Sequence, residues 1–189
     1  MSLEPTRVKA VVAGHHGVGK TTFLIRLRTG RFEEYYFENT HDTFNLDATL
    51  DHSNIECSLW DTNALEDYMR LLPYVFISAD VVILCFAIDN PDSVADIRER
   101  WVRDLPELEP HARIVLVGTK SELRSDPATL ERLRLCGLAL SPYTAGSALA
   151  EEIFAAGYYE CSAKTGHGVQ EVFMAATLLV LITRHLFVN

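Results

Sequence analysis

The chain has 189 residues, about the size of one globular domain, and 48% of them are hydrophobic and 23% charged. Its formal net charge of −9 argues against a nucleic-acid partner and against simple adhesion to anionic lipid, because both need clustered lysine and arginine. The four cysteines show no metal-ligand spacing, and the N-terminus lacks the apolar core of a signal peptide. We therefore expect a cytoplasmic protein with reduced thiols.

Short apolar or β-branched segments predict six strands, at residues 8–13, 43–50, 55–60, 81–87, 113–117 and 158–161. Turn residues at 51–54 join the second and third strands into a hairpin. Helices are predicted at residues 20–28, 67–76, 91–105, 143–154 and from 168 onward. Gly30 is placed to end the first helix, and Asn90 to cap the third.

The alternation of strands and helices predicts an α/β fold with a mostly parallel six-stranded sheet, one antiparallel edge hairpin and helices on both faces. No repeat, low-complexity tract or linker interrupts the sequence, so residues 1–189 are expected to form a single domain. The charged, leucine-rich segment at about 123–141 predicts a helical surface insertion. The uncharged run 172–183 is too short to span a bilayer and predicts a buried C-terminal helix.

Residues 14–21, which we call the phosphate loop, read Gly-His-His-Gly-Val-Gly-Lys-Thr and match the pattern G-x-x-x-x-G-K-[ST] between a predicted strand and a predicted helix. Its glycines let backbone N–H groups approach phosphate oxygens, and the positive N-terminus of the helix faces the same anion. The predicted phosphate-binding residues are Gly14, Gly17, Val18, Gly19, Lys20, Thr21 and Thr22. Lys20 would supply a cation to the β- and γ-phosphates, and Thr21 a hydroxyl to Mg²⁺.

The phosphate loop alone leaves kinases, ATPases and GTPases open, and three later segments decide between them. Asp61 ends a predicted strand where a carboxylate that organises Mg²⁺ belongs. Val-Gly-Thr-Lys-Ser-Glu at 117–122 and Glu-Cys-Ser-Ala-Lys at 160–164 each accompany the end of another strand. In order and spacing these segments resemble the Ras superfamily of small GTPases, and most closely its Rho family, over residues 8–181. The segment 123–141 looks like the helical insertion of Rho-type members.

The resemblance implies a site for GTP or GDP with Mg²⁺. Lys120 would lay its stem along the guanine ring, and Glu122 would accept hydrogen bonds from guanine N1 and N2. The backbone N–H of Ala163 would read guanine O6, held in place by Ser162 and Lys164. The family normally has aspartate where this chain has Glu122, and the extra methylene is expected to reduce the affinity for the base.

Two features of the implied site stay open. Phe32 either packs near the base or belongs to the core. Thr21 and Asp61 are expected at the metal, and the first switch loop would add either Asn39 or, if the loop slips by one residue, Thr40.

The hydrolytic centre departs most from the family pattern. Leu65 stands where a glutamine normally orients the attacking water, and leucine has no polar atom for that task. Ala64 replaces a glycine whose N–H contacts the γ-phosphate, and His16 replaces a glycine of the phosphate loop. We therefore expect GTP hydrolysis to be slow or absent.

The resemblance implies a signalling protein that presents two switch loops, at about 36–44 and 62–76, to effector proteins, with an exchange factor as a further partner. A slow but cycling GTPase and a pseudo-GTPase scaffold that binds nucleotide weakly are the alternatives. We expect a monomer. Rho-type proteins usually end in a basic stretch and a prenylated cysteine, and this sequence ends at Asn189 without either. We therefore expect either a protein that is not prenylated or one whose lipidated tail lies beyond this sequence and brings it to a membrane.

Overall fold

The computed structural model describes residues 5–33, 43–50, 53–62 and 72–186. The strands are β1 Thr6–Gly14, β2 Thr43–Leu50, β3 Ser53–Asp61, β4 Val81–Ala87, β5 Arg113–Thr119 and β6 Tyr158–Glu160. The α-helices are α1 Lys20–Thr29, α2 Leu72–Phe76, α3 Pro91–Asp96, α4 Val102–Leu108, α5 Pro127–Leu135, α6 Tyr143–Glu152 and α7 Val169–Leu186. A π-helical turn, Ile97–Trp101, joins α3 to α4, and a 3₁₀ turn, Ser121–Ser125, precedes α5.

The strands form one sheet in the order β2-β3-β1-β4-β5-β6. Every neighbouring pair is parallel except β2 and β3, which form the antiparallel hairpin at the sheet edge. This confirms the predicted fold class. Because β1, β3, β4, β5 and β6 run in the same direction, their carboxyl ends meet at one edge of the sheet, where ligands bind in open α/β folds.

Helices cover both faces of the sheet, because its central strands are apolar on both sides. On one face, Phe23 of α1 and Phe173 of α7 pack over strand residues such as Ile83. On the other face, Phe76, Trp101 and Leu149 pack over the alternate strand residues. The uncharged run near the C-terminus therefore forms a helix with one side in the core, as predicted. No helix in the described parts of the chain is long and apolar enough to cross a membrane.

Local signals set several helix ends. The Asn90 side chain accepts a hydrogen bond from the N–H of Asp92 at 3.0 Å, so it caps α3 as predicted. Gly30 follows α1 with φ of 68°, a left-handed conformation that favours glycine. The predicted helix 91–105 is present but is interrupted by the π-helical turn, which hydrophobic periodicity does not reveal.

Cys57, Cys85 and Cys161 are buried, whereas Cys136 is exposed. Burial raises the pKa of Cys57 and Cys85 to about 12, so both remain protonated and unreactive at pH 8. We expect a disulfide-exchange reagent to titrate one thiol rapidly in the native protein and four in denaturant. The Cys136→Ser variant should lose the fast phase alone. Two or more fast thiols in the native wild type would contradict this burial pattern.

Candidate functional site

The phosphate loop links the end of β1 to the start of α1. Gly14, Gly17 and Gly19 have φ of 136°, 73° and 92°, values that L-amino acids with a side chain rarely adopt. A Cβ on Gly14 would also lie 2.1 Å from the carbonyl oxygen of Cys85 on β4. The loop therefore depends on glycine both for its backbone angles and for its close approach to the sheet.

The ammonium group of Lys20 lies inside the loop. Its Nζ donates hydrogen bonds to the carbonyl oxygens of Gly14 and His15, each at 2.9 Å, and the residue is only 7% exposed. Burial lowers the pKa of Lys20, and the nearby Asp61 carboxylate opposes that shift. A buried cation of this kind is stabilised by an anionic ligand, as the phosphate motif predicts.

Thr21 and Asp61, the two predicted metal ligands that the structure describes, are in contact. The β1–β3 register pairs Asp61 with Val12, which brings the carboxylate to the base of the phosphate loop, and the Thr21 hydroxyl donates a hydrogen bond to it. Within the described residues, no group of three or more His, Cys, Asp or Glu side chains could hold a metal by itself. A hydroxyl and a carboxylate fit a Mg²⁺ ion that takes its other ligands from phosphate and water.

A cavity of about 260 Å³ adjoins the phosphate loop. Its lining comes from the loop and α1, from the chain after α1, and from the segments that follow β5 and β6: Gly17, Val18, Gly19, Thr22, Phe23, Phe32, Glu33, Thr119, Lys120, Glu122, Cys161, Ala163 and Lys164. The fold thus brings together predicted base-binding and phosphate-binding residues that are far apart in sequence. Phe32 is 39% exposed and lines this cavity, so the alternative that it belongs to the core is wrong.

Glu122 is the most informative side chain of the cavity. Its Oε2 atom is buried and accepts no hydrogen bond from the described residues. Leaving a buried acceptor without a donor costs about 1–3 kcal/mol, so the position favours a ligand that supplies donors. The N1–H and N2 amino group of guanine are adjacent donors of this kind. The residues present therefore fit the base that the sequence predicts.

The loop that carries Ala163 is held by its own hydrogen bonds. The Ser162 Oγ atom accepts a hydrogen bond from the N–H of Thr165 at 3.0 Å, and the N–H of Ser162 donates to the carbonyl of His167 at 2.8 Å. These bonds form a tight turn after β6, in which Ser162 is buried and Ala163 lines the cavity.

Two contacts of the site were not predicted from the sequence. Thr119 Oγ1 lies 2.6 Å from the carbonyl oxygen of Val18 and 2.9 Å from that of Phe86, so it ties the phosphate loop to the sheet. Lys120 Nζ lies 3.5 Å from a carboxylate oxygen of Asp89, just after β4. Thr119 lies inside the motif segment 117–122, so the sequence could have indicated a role for it in the site. No sequence pattern pointed to Asp89.

Of the predicted hydrolytic centre, the structure describes His16, which is exposed at the tip of the phosphate loop. Ala64 and Leu65 lie outside the described residues, as do the two candidates for the third metal ligand, Asn39 and Thr40.

Comparison with known proteins agrees with this geometry. The model of the Ras family matches residues 9–181. The chain is 43% identical over 171 residues to "GTP-binding protein RHO1" of Saccharomyces cerevisiae, with 90% of this chain and 82% of the yeast protein covered. It is 40% identical over 176 residues to the Rho1 protein of Kluyveromyces lactis, with 93% and 85% covered. For rho1 of Schizosaccharomyces pombe the identity is 37% over 176 residues, with 93% and 87% covered. The chain therefore belongs to the Ras family and is a Rho-like small GTPase by descent.

Proposed function

We propose that this protein is a guanine-nucleotide switch that binds GTP or GDP with Mg²⁺ and presents its two switch loops to effector proteins. The observation that carries the proposal is the buried Glu122 Oε2 atom, which lacks a donor among the described residues and lines a cavity continuous with the phosphate loop. Membership of the Ras family and similarity to proteins named GTP-binding support it.

The residues divide the work between phosphate and base. Lys20 would turn its buried ammonium from the loop carbonyls to the β- and γ-phosphate oxygens. Thr21 and Asp61 would hold Mg²⁺, which neutralises phosphate charge when bound, and the first switch loop would add Asn39 or Thr40. Lys120 and Ala163 would contact the base beside Glu122.

Replacing Glu122 by alanine tests the proposal. A hydrogen bond to a charged group contributes about 1.5–3 kcal/mol, so Glu122→Ala should weaken GDP binding roughly 10- to 100-fold. Inosine diphosphate lacks the guanine N2 amino group, so the variant should also lose most of the preference for GDP over it. Both affinities are measured by fluorescence titration.

Glu131→Ala is the matched control, because Glu131 is on the surface of α5 and bonds only to Arg134 among the described contacts. Glu122→Asp restores the family residue, and we expect it to bind GDP more tightly than the wild type. Equal GDP affinity in wild type and Glu122→Ala would contradict a role for Glu122 in reading the base.

We further propose that GTP hydrolysis is impaired. The support is chemical: Leu65 has no polar atom to orient water, and Ala64 and His16 add Cβ atoms where the family has glycine. In single-turnover assays we expect a rate constant below about 10⁻⁴ s⁻¹, the order of magnitude of unassisted hydrolysis in Ras.

Leu65→Gln should raise that rate at least tenfold, because it restores a water-orienting amide. Leu135→Gln makes the same chemical change on α5, where the side chain is exposed, and should have no effect. Hydrolysis by the wild type at ordinary family rates would overturn the proposal.

The nucleotide that copurifies with the protein separates the three candidate functions. Bound GTP supports a switch held in its active form, and bound GDP supports a slow but cycling enzyme. A protein that purifies without nucleotide and binds added nucleotide only weakly supports a scaffold. Glu122 and Asn39 favour the scaffold, whereas the buried Lys20 and the Thr21–Asp61 contact favour the switch.

A further inference from the structure

A polar cluster outside the cavity joins the two loops that carry the proposed base contacts. The Arg124 guanidinium forms two hydrogen bonds with the Glu160 carboxylate, one of them from Nε at 2.9 Å. Nη2 of Arg124 also donates to the carbonyl oxygen of Ser141 at 2.8 Å. We call Arg124, Glu160 and Tyr158, whose hydroxyl donates to Glu160 at 2.7 Å, the clamp.

The clamp joins the two segments that carry the proposed base contacts, Glu122 and Ala163. Arg124 lies two residues after Glu122 in the 3₁₀ turn, and Glu160 is the last residue of β6, three residues before Ala163. A backbone hydrogen bond from the N–H of Ser121 to the carbonyl of Cys161, at 3.1 Å, runs between the same segments. The clamp therefore fixes the separation of the two segments from which Glu122 and Ala163 project.

Glu160 is held more firmly than the carboxylate of an ordinary surface ion pair. Its side chain is 12% exposed, and its partner Tyr158 is buried in the core. The Tyr158 ring stacks on Phe86 with centroids 5.9 Å apart. A Cβ on Gly146 would lie 2.1 Å from a carbon atom of the ring, and a Cβ on Gly118 would lie 2.5 Å from the hydroxyl oxygen. Because Tyr158 cannot move aside, it presents a fixed hydroxyl to Glu160.

Two members of the clamp, Tyr158 and Arg124, keep their protons near neutral pH. Burial, and then the hydrogen bond to Glu160, raise the pKa of Tyr158, so the phenol remains a donor at any pH near neutrality. The same carboxylate raises the pKa of Arg124. Two parallel N–H···O bonds between planar groups fix direction as well as distance, which a lysine in place of Arg124 cannot do.

We propose that Arg124 and Glu160 are positioning residues for base recognition: they hold Glu122 and the N–H of Ala163 at the spacing that guanine requires. This inference rests on the proposed nucleotide site. Among the described residues, the hydrogen bonds of Arg124 and of the Tyr158 hydroxyl go to Glu160 and Ser141 and not to the phosphate loop. Loss of the clamp should therefore loosen the base contacts and leave the phosphate contacts intact. The clamp therefore sets how well guanine is distinguished from other bases and how fast the nucleotide leaves.

The test compares release of fluorescent GDP and the ratio of GDP to inosine diphosphate affinity in the full chain. Arg124→Ala and Glu160→Gln should each speed GDP release at least tenfold and reduce the affinity ratio at least fivefold. Arg124→Lys keeps the charge without the paired bonds and should give an intermediate release rate. In the double variant the effects should be far from additive, because either change alone breaks the same contact.

Arg134→Ala is the control, since Arg134 bonds within α5 to Glu131. A merely structural role would lower the melting temperature and speed release without changing the affinity ratio, and that result overturns the inference. Arg124→Lys and Glu160→Gln preserve most of the packing. If both variants release GDP at the wild-type rate and keep the wild-type ratio of GDP to inosine diphosphate affinity, the inference is also overturned. If the wild type itself shows no saturable GDP binding, the proposed function falls together with the clamp.

Discussion

The Lys20→Ala variant is expected to bind GDP and GTP at least about 100-fold more weakly than the wild type. Each charge-assisted hydrogen bond contributes about 1.5–3 kcal/mol, and a lysine between two phosphates makes two of them. Lys20 is already buried in the folded protein, so ligand binding does not have to remove water from its ammonium group. The ammonium is therefore in place before the ligand arrives. Equilibrium titration with a fluorescent nucleotide in the presence of Mg²⁺ measures the effect.

Lys9→Ala is a close control for this loss of affinity. Lys9 also donates to a backbone carbonyl, that of Ile77 at 2.7 Å, and its Nζ lies 4.5 Å from the centroid of the Trp60 ring, but it does not line the cavity. Its removal should lower stability and leave nucleotide affinity unchanged. Affinity of Lys20→Ala within threefold of the wild type would mean that phosphate is bound elsewhere.

The Gly14→Ala variant is expected to lose about 3–5 kcal/mol of unfolding free energy. An added Cβ would meet the carbonyl oxygen of Cys85 at 2.1 Å, and the φ of 136° is itself unfavourable for alanine. Since Gly14 belongs to both β1 and the phosphate loop, relief of the clash must displace one of them. Denaturant unfolding of the nucleotide-free protein measures the loss without a contribution from ligand binding.

Gly30→Ala separates the clash from the backbone angle. Gly30 has φ of 68°, and an added Cβ would meet no atom within 4 Å. This control should cost only about 1–2 kcal/mol, the penalty for a left-handed alanine. Equal losses of unfolding free energy in Gly14→Ala and Gly30→Ala would show that the close approach of β1 to β4 adds no cost to a side chain at position 14.

Features encoded by neighbouring residues could be predicted from the sequence. The continuous apolar run 81–87 corresponds to β4, because a strand covered on both faces needs no polar side chains. The phosphate loop could also be predicted from the sequence, because the spacing of its glycines sets where the backbone can adopt positive φ. Strand β5 extends two residues beyond the predicted 113–117, because Gly118 pairs with Glu160 despite having no side chain of its own.

Contacts between distant residues could not be predicted. The Arg124–Glu160 ion pair spans 36 positions, and neither residue has a pattern around it that selects the other. Asp89 reaches Lys120 only because β4 and β5 end side by side. The sequence indicated that Glu122 departs from the family, but its buried oxygen atom follows from the 3₁₀ turn that carries it. Such features depend on how the strand ends meet.

Equilibrium titration of the full chain with fluorescent GDP and GTP, with Mg²⁺ present and adenine nucleotides as competitors, tests the central claim most directly. We predict saturable binding at micromolar concentrations or below, which excess unlabelled GDP reverses and ADP does not. The absence of saturable binding, or displacement by ADP as effective as by GDP, would contradict the proposal that this protein is a guanine-nucleotide switch.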